Sequence, residues 1–598
     1  RLVRSVRPKR GGHSEVYPIP PSEQPFPAAQ APSQDTTGLA AWRHLGRRRA
    51  RVLGHGGQHR LVYSGAVHRR VASSGARGAR SGAPGKPGAR GAPGGPGSSG
   101  ARGGAGGRHG GKAAVPAAPA PAERPLAERL ALLPLWLLAV VPPLYFLPSA
   151  KDPFRLPKLM LAEWLAIASL VPLAWALRRV EMVRWRDLWR QPAIRALLPL
   201  VAVATAGLAT SAHPLHVRDA LADLWIGAAC LVGWSAALPA RRLERVLVGL
   251  LLPAAALAVI GILQFHGLQP LPVAPALGGA RYTVTSTAGN TGDFAAFLVL
   301  PCLVAQWRLA RGAAAGATGG TAAGGGAGER DAAGGGRRLG GRWGWLAAAL
   351  ALCAYAIAVT QTLAALVALL LGSLTFWFGS LRRGGAGLRW LAGACAAAAL
   401  LAAGAVAAVP ALRGRVAEKV SLARRGEWNH VLTGRLDGWR TALWMLEQHP
   451  WTGVGQGAFR AEFVPAKLAL LDRGAAFLSG EQQNFVNAHD EPLEVGADLG
   501  VPGLLALAWA LAVVTSAARL RVRAAAAGMP RVPAAAGDAD GGAARRALSA
   551  DGAFAAGGLA ALGVLCLVDF PFRVALVAFP ALLFLAWVLR PAAAEAAA

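Results

Sequence analysis

Apolar runs of about 17–22 residues, recurring from residue 130 to residue 589, constrain this chain more than any other feature. They fall near 130–148, 159–177, 194–210, 220–239, 246–265, 293–309, 343–360, 363–380, 389–409, 495–517, 553–569 and 571–589. A helix needs roughly 20 apolar residues to cross the hydrocarbon of a bilayer. The runs show no alternation at period two and are too long for barrel strands, which leaves a helical bundle. Composition agrees, since 54% hydrophobic against 16% charged residues is too apolar for a soluble chain of this length. The expected fold is an all-α membrane protein, a polytopic bundle of about 12 transmembrane helices with one large extracytoplasmic helical loop. Helices 1–9 are expected within 126–409, the loop at 410–494, helices 10–12 within 495–590, and a short tail at 591–598.

Arginine placement orients the bundle. With the N-terminus cytoplasmic, inner connections carry Arg178, Arg179, Arg184, Arg186 and Arg190, then Arg241, Arg242 and Arg245. Later inner connections carry Arg337, Arg338 and Arg342, Arg382 and Arg383, and Arg519, Arg521 and Arg523. The opposite short loops hold little beyond Lys151, Arg155, Lys158, Arg218, Arg281 and Arg573. By the positive-inside rule, loop 410–494 lies outside, in the periplasm of a cell with two membranes. The five cysteines are dispersed through the predicted spans without a C-x-x-C pair, so they read as small packing residues.

Residues 1–125 are another kind of sequence, a basic tail rich in Gly, Arg and Pro. They hold 21 Lys and Arg against 4 Asp and Glu, and too few aliphatic residues to bury a core, so disorder is expected. Glycine at every third position from Gly82 to Gly106 is formally a collagen repeat, but too short for a stable triple helix without a trimerising element. No signal-peptide pattern opens the chain, and part of the tail is expected to be over-extended reading frame. Stretches 312–342 and 524–551 read as cytoplasmic Gly/Ala/Arg linkers. The Asp538-Ala539-Asp540 within the second has the form of a D-x-D metal motif in structureless surroundings, and is set aside.

Polar residues concentrate in the long loop. There TGRLDGWRTALWMLEQHPWTGVGQGAF is followed, about thirty residues on, by NAHDEPLEVGADLGVPG. A helix is expected after Thr433-Gly434, with Thr433 as N-cap and Leu436, Trp439, Leu443 and Leu446 as its apolar stripe. His449-Pro450 and the glycines of GVGQG end it, and GVGQG itself reads as a turn because no strand precedes it. Arg435 falls in the first turn, where a guanidinium beside free helix N–H groups forms an anion pocket; a solvated surface arginine is the plainer alternative. Pro492 is tolerated only in a first helical turn, which sets His489 just before the next helix, at the membrane surface. A histidine there serves as a general base near neutral pH, or as a capping residue. Metal ligation by His489, Asp490 and Glu494 is weak, because the spacing is not H-E-x-x-H and a second histidine is missing.

The pattern G-R-x3-W…H-P-x-x-G-x-G-x-G-x-F followed by x-H-[ND]-x-x-L-E…x-G-x-x-G resembles the O-antigen ligase and O-antigen polymerase superfamily of bacterial envelopes. DPFRLPK at 152–158 and RYTVTSTAGNTGDFAAFLVL from Arg281 also resemble that superfamily, so the likeness spans roughly 130–590. It implies an inner-membrane, multi-pass glycosyltransferase that uses a glycan on undecaprenyl pyrophosphate, without metal or cofactor, outside the membrane. It implies that Arg435 contacts the donor pyrophosphate, that His489 activates or orients the acceptor hydroxyl, and that Arg281 is a second phosphate contact. Asn290, Trp439, Arg440, Asp490 and Glu494 are the further substrate contacts it implies. Departures are Asp490 where Asn is frequent, Gly289-Asn290-Thr291-Gly292 for G-N-P-N, and Leu363 where many members carry Arg.

The acceptor implied is the lipid A core, with another repeat unit (a polymerase) or a protein Ser or Thr as alternatives. The partners implied are the lipid-linked donor, a lipid or glycan acceptor and membrane lipids, with no nucleic acid. A transporter of inorganic carbon or of a lipid-linked intermediate is the rival from another class. Transport normally places ionisable groups deep in the bundle. Only Glu163 and Asp223 stand out in these spans, while polar residues crowd the loop, which favours the enzyme.

Overall fold

The structure is a computed structural model that describes residues 124–179, 189–272, 284–319, 329–381, 404, 407–478, 484–527 and 539–590. Among them every regular element is helical. The chain forms α1 (Arg124–Leu144), α2 (Arg155–Arg179), α3 (Pro192–Ala206), α4 (Pro214–Ala237), α5 (Ala240–Gly249) and α6 (Leu251–Phe265). There follow α7 (Thr291–Gly319), α8 (Glu329–Val359) and α9 (Leu363–Leu381). The loop region supplies α10 (Pro410–Arg424), α11 (Trp428–Val431), α12 (Arg435–Gln448) and α13 (Phe459–Asp472), before α14 (Glu491–Ala527), α15 (Ala539–Val568) and α16 (Ala575–Leu589).

Apolar length decides which helices can cross a membrane, since helical backbone satisfies its own hydrogen bonds in lipid. Eight are long and apolar enough: Arg155–Trp175, Pro192–Ala209, Pro214–Ala237, Ala240–Phe265, Thr291–Gly312, Leu363–Ser380, Glu491–Arg523 and Ser549–Val568. Three shorter apolar helices, Arg129–Leu144, Gly344–Val359 and Ala575–Leu589, coincide with the first, seventh and twelfth expected runs. The ninth run, 389–409, lies almost wholly outside the described residues, as do Arg281, Asp538, Cys395 and residues 1–123 of the tail. The stretches expected as linkers are in large part helical: α7 continues to Gly319, α8 begins at Glu329 and α15 at Ala539.

Aromatic stacking marks the centre of the bundle. Trp307 of α7 lies flat on Phe554 of α15 at 4.5 Å, and Phe554 meets Phe584 of α16 edge-on at 5.3 Å. Helices α9 and α15 approach until a Cβ on Gly372 would stand 3.0 Å from the carbonyl of Gly557, a contact that only small residues permit. A second core, around Phe459, Phe463, Ala442, Met445 and Leu499, joins the loop helices to α3, α4 and α14. The loop is therefore packed onto the bundle's end, not loosely tethered to it.

Candidate active site

The site begins with a bend in α14. Gly500 adopts φ 68° and ψ −163°, so the helix breaks after its first turns. Val501 donates its N–H to the Pro450 carbonyl at 2.7 Å, and a Cβ on Gly500 would stand 2.5 Å from that oxygen. The GVGQG turn wraps this break: Val454 and Gly455 donate to the carbonyls of Ala497 and Asp498 at 2.9 and 2.8 Å. Gly457 and Phe459 then donate to the Asp498 carboxylate at 2.6 and 3.1 Å. The glycine turn thus holds an internal carboxylate with its backbone N–H groups, a small anion cradle already filled by the chain.

Asp498 belongs to an acidic face. Glu491, Glu494 and Asp498 recur at three- and four-residue spacing along α14, so they share one side of it. All three meet the connection between α15 and α16. Arg573 reaches Asp498 at 3.2 Å and Glu494 at 3.3 Å, and Phe572 donates its N–H to Glu491 at 3.0 Å. Burial alone lowers the pKa of Arg573, but the three carboxylates outweigh it and hold the guanidinium more firmly charged than usual. Glu494 extends the brace, accepting from Asn487 Nδ2 at 3.0 Å and from the Ala488 N–H at 2.9 Å. Asp490 caps α14, accepting the Leu493 N–H at 2.8 Å, and burial pushes its carboxyl above the usual range. So Asp490 and Glu494 spend their oxygens on the backbone and side chains that position residue 489.

His489 sits on that brace at φ 58°, a conformation an L side chain rarely adopts, and such strain clusters at functional positions. Its ring stands edge-on to Phe570 at 4.7 Å and to Phe485 at 5.8 Å. Its Nδ1 faces Asp569 Oδ1 at 3.7 Å, beyond hydrogen-bond reach, and has no other partner. The ring keeps 28% of its surface open. Trp439 Nε1 points at the His489 carbonyl at 3.5 Å. Beneath, a Cβ on Gly438 would stand 2.9 Å from the Ala488 carbonyl, so α12 lies directly against the segment that carries His489.

α12 differs from expectation in its start and its inward face. Its N-cap is Gly434 at φ 83°, not Thr433, whose hydroxyl instead donates to the Leu432 carbonyl at 2.6 Å. The buried face is Asp437, Gly438, Thr441, Ala442 and Met445, not the expected Leu436, Trp439, Leu443 and Leu446 stripe. Close approach to the 488 backbone demands small residues, and buried Asp437 ties in Asn429 at 2.6 Å and the Leu478 N–H at 3.0 Å. Leu443 consequently faces outward.

Arg435 opens α12. Its Nη1 donates to Thr433 Oγ1 at 3.0 Å, while its Nε is buried without a partner. Burial pulls its pKa down, and the nearby charge of Asp569 opposes that pull. Asp569, 3.7 Å from the His489 ring, thus also acts electrostatically on Arg435. Opposite, Asn290 caps α7, accepting the Gly292 and Asp293 N–H groups at 2.7 and 3.2 Å. Asp293 pairs with Arg155 of α2 at 2.8 Å, and it lies in the field of both Asp569 and His489. Arg440 turns away and bonds the Ala476 carbonyl at 2.6 Å, closing the loop.

The structure thus gathers His489, Arg435, Trp439 and Asn290 with Asp569, Asp293, Arg155 and Arg573. The last four were not singled out as site residues from sequence. Arg155 and Arg573 counted there only as outer-loop charges, and their position at the ends of apolar runs was the available signal. Among the described residues, no group of three or more His, Cys, Asp or Glu side chains is placed to hold a metal ion. The acidic face of α14 is directed at Arg573 instead.

Residues 348–508 match the protein family described as O-antigen ligase. Over this stretch the chain is similar to the O-antigen ligase superfamily. The match contains Arg435, Trp439, His489 and the acidic face of α14, while Arg155, Asn290, Asp293, Asp569 and Arg573 come from helices outside it. With its apolar helices, the chain is a membrane protein with a ligase-type, glycosyltransferase-like domain. No curated protein matches it.

Proposed function

We propose that this O-antigen ligase-type protein moves a glycan from undecaprenyl pyrophosphate to an acceptor hydroxyl, preferably on the lipid A core, at the periplasmic face of the inner membrane. The hydroxyl oxygen bonds to the anomeric carbon as the bond from that carbon to the pyrophosphate oxygen breaks. The electron pair stays on the leaving phosphate, and the hydroxyl proton passes to His489. With Nδ1 turned to Asp569, Nε2 is the nitrogen left to face the hydroxyl, and Asp569 favours the tautomer with the proton on Nδ1. Arg435 stabilises the leaving pyrophosphate, a preorganised charge that costs no reorganisation during reaction. No metal is needed in this scheme.

The observation that carries this reading is the convergence of two under-bonded polar atoms, Arg435 Nε and His489 Nδ1, on the neighbourhood of one carboxylate, Asp569. A guanidinium whose burial is offset by no bonded carboxylate favours an anionic ligand. Transport, the rival class, is supported less. The two ionisable residues singled out in the spans, Glu163 and Asp223, bond to one another, and Asp223 lies in the field of Arg573 and Arg460, at the loop end of the bundle.

A deletion strain tests the class. Loss of a transferase leaves lipid-linked glycan accumulated on the outer face, open to an impermeant glycan-cleaving enzyme. If the accumulated glycan lies inside and is protected, the protein is a transporter and the proposal fails. Accumulation of single repeat units outside, with the core still decorated, marks a polymerase.

A further inference from the structure

The other end of the bundle carries a second basic feature. α7 runs from Asp293, beside His489, to Arg308 and Arg311, roughly 22–27 Å away at 1.5 Å per residue. There a cavity of about 390 Å³ opens between α1, α5 and α7. Arg241 and Arg245 of α5 and Arg308 and Arg311 of α7 line it, with Glu244 as its one carboxylate and Trp136 of α1 at its side. Glu244 is engaged already, pairing with Arg311 at 2.9 Å, and Asp551 steadies the same guanidinium at 3.4 Å. Arg311 also lies over the Trp307 ring at 5.4 Å, so it is fixed in place from below. Arg241 and Arg245, one turn apart, stand exposed at the opening.

We propose that this cavity binds the phosphate-bearing headgroup of an anionic phospholipid. Four guanidiniums against two carboxylates, Glu244 in the lining and Asp551 behind Arg311, leave a net positive pocket, and planar guanidiniums hold phosphate oxygens in pairs. Its position selects a lipid. The cavity lies where the apolar spans Ala240–Phe265 and Thr291–Gly312 reach their charged ends, the depth of a headgroup. Trp136 and Leu133, one turn apart on α1, expose apolar surface on which an acyl chain can lie. The same end bears the arginine-rich connections that place it on the cytoplasmic side, where anionic lipid headgroups attract basic clusters. This site is independent of the transferase reading.

The test uses the full-length protein in neutral detergent, titrated with phosphatidylglycerol, phosphatidylcholine or inorganic phosphate while its unfolding temperature is followed. Phosphatidylglycerol should raise that temperature, and phosphatidylcholine should not. Arg241→Gln with Arg245→Gln, both exposed, should leave the lipid-free unfolding temperature unchanged and weaken phosphatidylglycerol about tenfold or more. Arg241→Lys with Arg245→Lys should recover part of that loss, and it remains informative if the Gln pair folds poorly. An undiminished phosphatidylglycerol response in the Gln pair, or an equal response to phosphatidylcholine, overturns the site. A full response to inorganic phosphate alone assigns the cavity to a free anion and overturns the lipid.

Discussion

Replacing Arg573 with Met should collapse the frame that holds His489. Arg573 bridges Glu494 and Asp498, whose side chains are 1% and 0% exposed. Removing the cation leaves two buried carboxylates facing one another, and a third, Glu491, a turn away. Breaking a buried ion pair from one side costs roughly 3–5 kcal/mol. Arg573 itself keeps 21% of its side chain accessible, so water screens part of the loss and the low end, about 3 kcal/mol, applies. Unfolding in detergent is seldom reversible, so the readout is the half-life of the monodisperse species at a fixed temperature. We expect it to shorten at least tenfold, with transfer lost in parallel. The carboxylates themselves should be the source of the penalty. Asp498→Asn, added to Arg573→Met, removes one buried charge while its carbonyl still accepts one backbone N–H, so the double variant should outlast the single one. An Arg573→Met protein as durable as wild type would refute the reasoning. A double variant worse than the single would show that Arg573 packs there without compensating charge.

Three further outcomes follow from the same geometry. Burial raises the folded-state pKa of Asp490, so the folded protein favours the protonated form and loses stability as pH rises from the ordinary aspartate range through the raised value. Asp490→Asn keeps the cap on Leu493 without the charge; it should match wild type in acid and exceed it at neutral pH, measured as half-life against pH. Arg435→Lys should rescue little of the activity lost in Arg435→Ala, because an ammonium cannot hold two phosphate oxygens, and a loss of about a hundredfold corresponds to ~3 kcal/mol. Introduced cysteines near Ala475 should react with an impermeant maleimide in spheroplasts while one at Arg245 should not, and the reverse pattern would invert the orientation.

The bundle was legible because span length is a property of local sequence. Each apolar run reports itself without reference to its neighbours, and the helices around 159–177 and 246–265 sit where their runs do. Helix ends were less legible, since Gly/Ala/Arg stretches read as linkers continue the helices beyond their apolar parts. Within the site, Arg435, Trp439 and His489 stood out because they cluster in one polar stretch. Arg155 and Asp293 are single charges at the starts of separate helices, Asp569 and Arg573 share the short connection between α15 and α16, and only packing brings these three segments to the loop. The error at α12 has the same origin. Its inward face is chosen by the backbone of Ala488, fifty residues on, which needs Gly438 and Ala442 where local periodicity favours leucines.

The central claim, that His489 takes the acceptor's proton at a site where arginine holds the leaving group, is tested most directly by single-turnover transfer. The assay uses full-length protein in liposomes with a purified lipid-linked donor, comparing wild type with His489→Ala and His489→Gln at matched levels. The account predicts a rate lower by about 10²–10⁴ in both variants, with donor binding retained, because Gln can orient a hydroxyl but cannot accept its proton. Substantial turnover in His489→Gln with none in His489→Ala would reduce His489 to an orienting role. Near-normal turnover in His489→Ala would contradict the account.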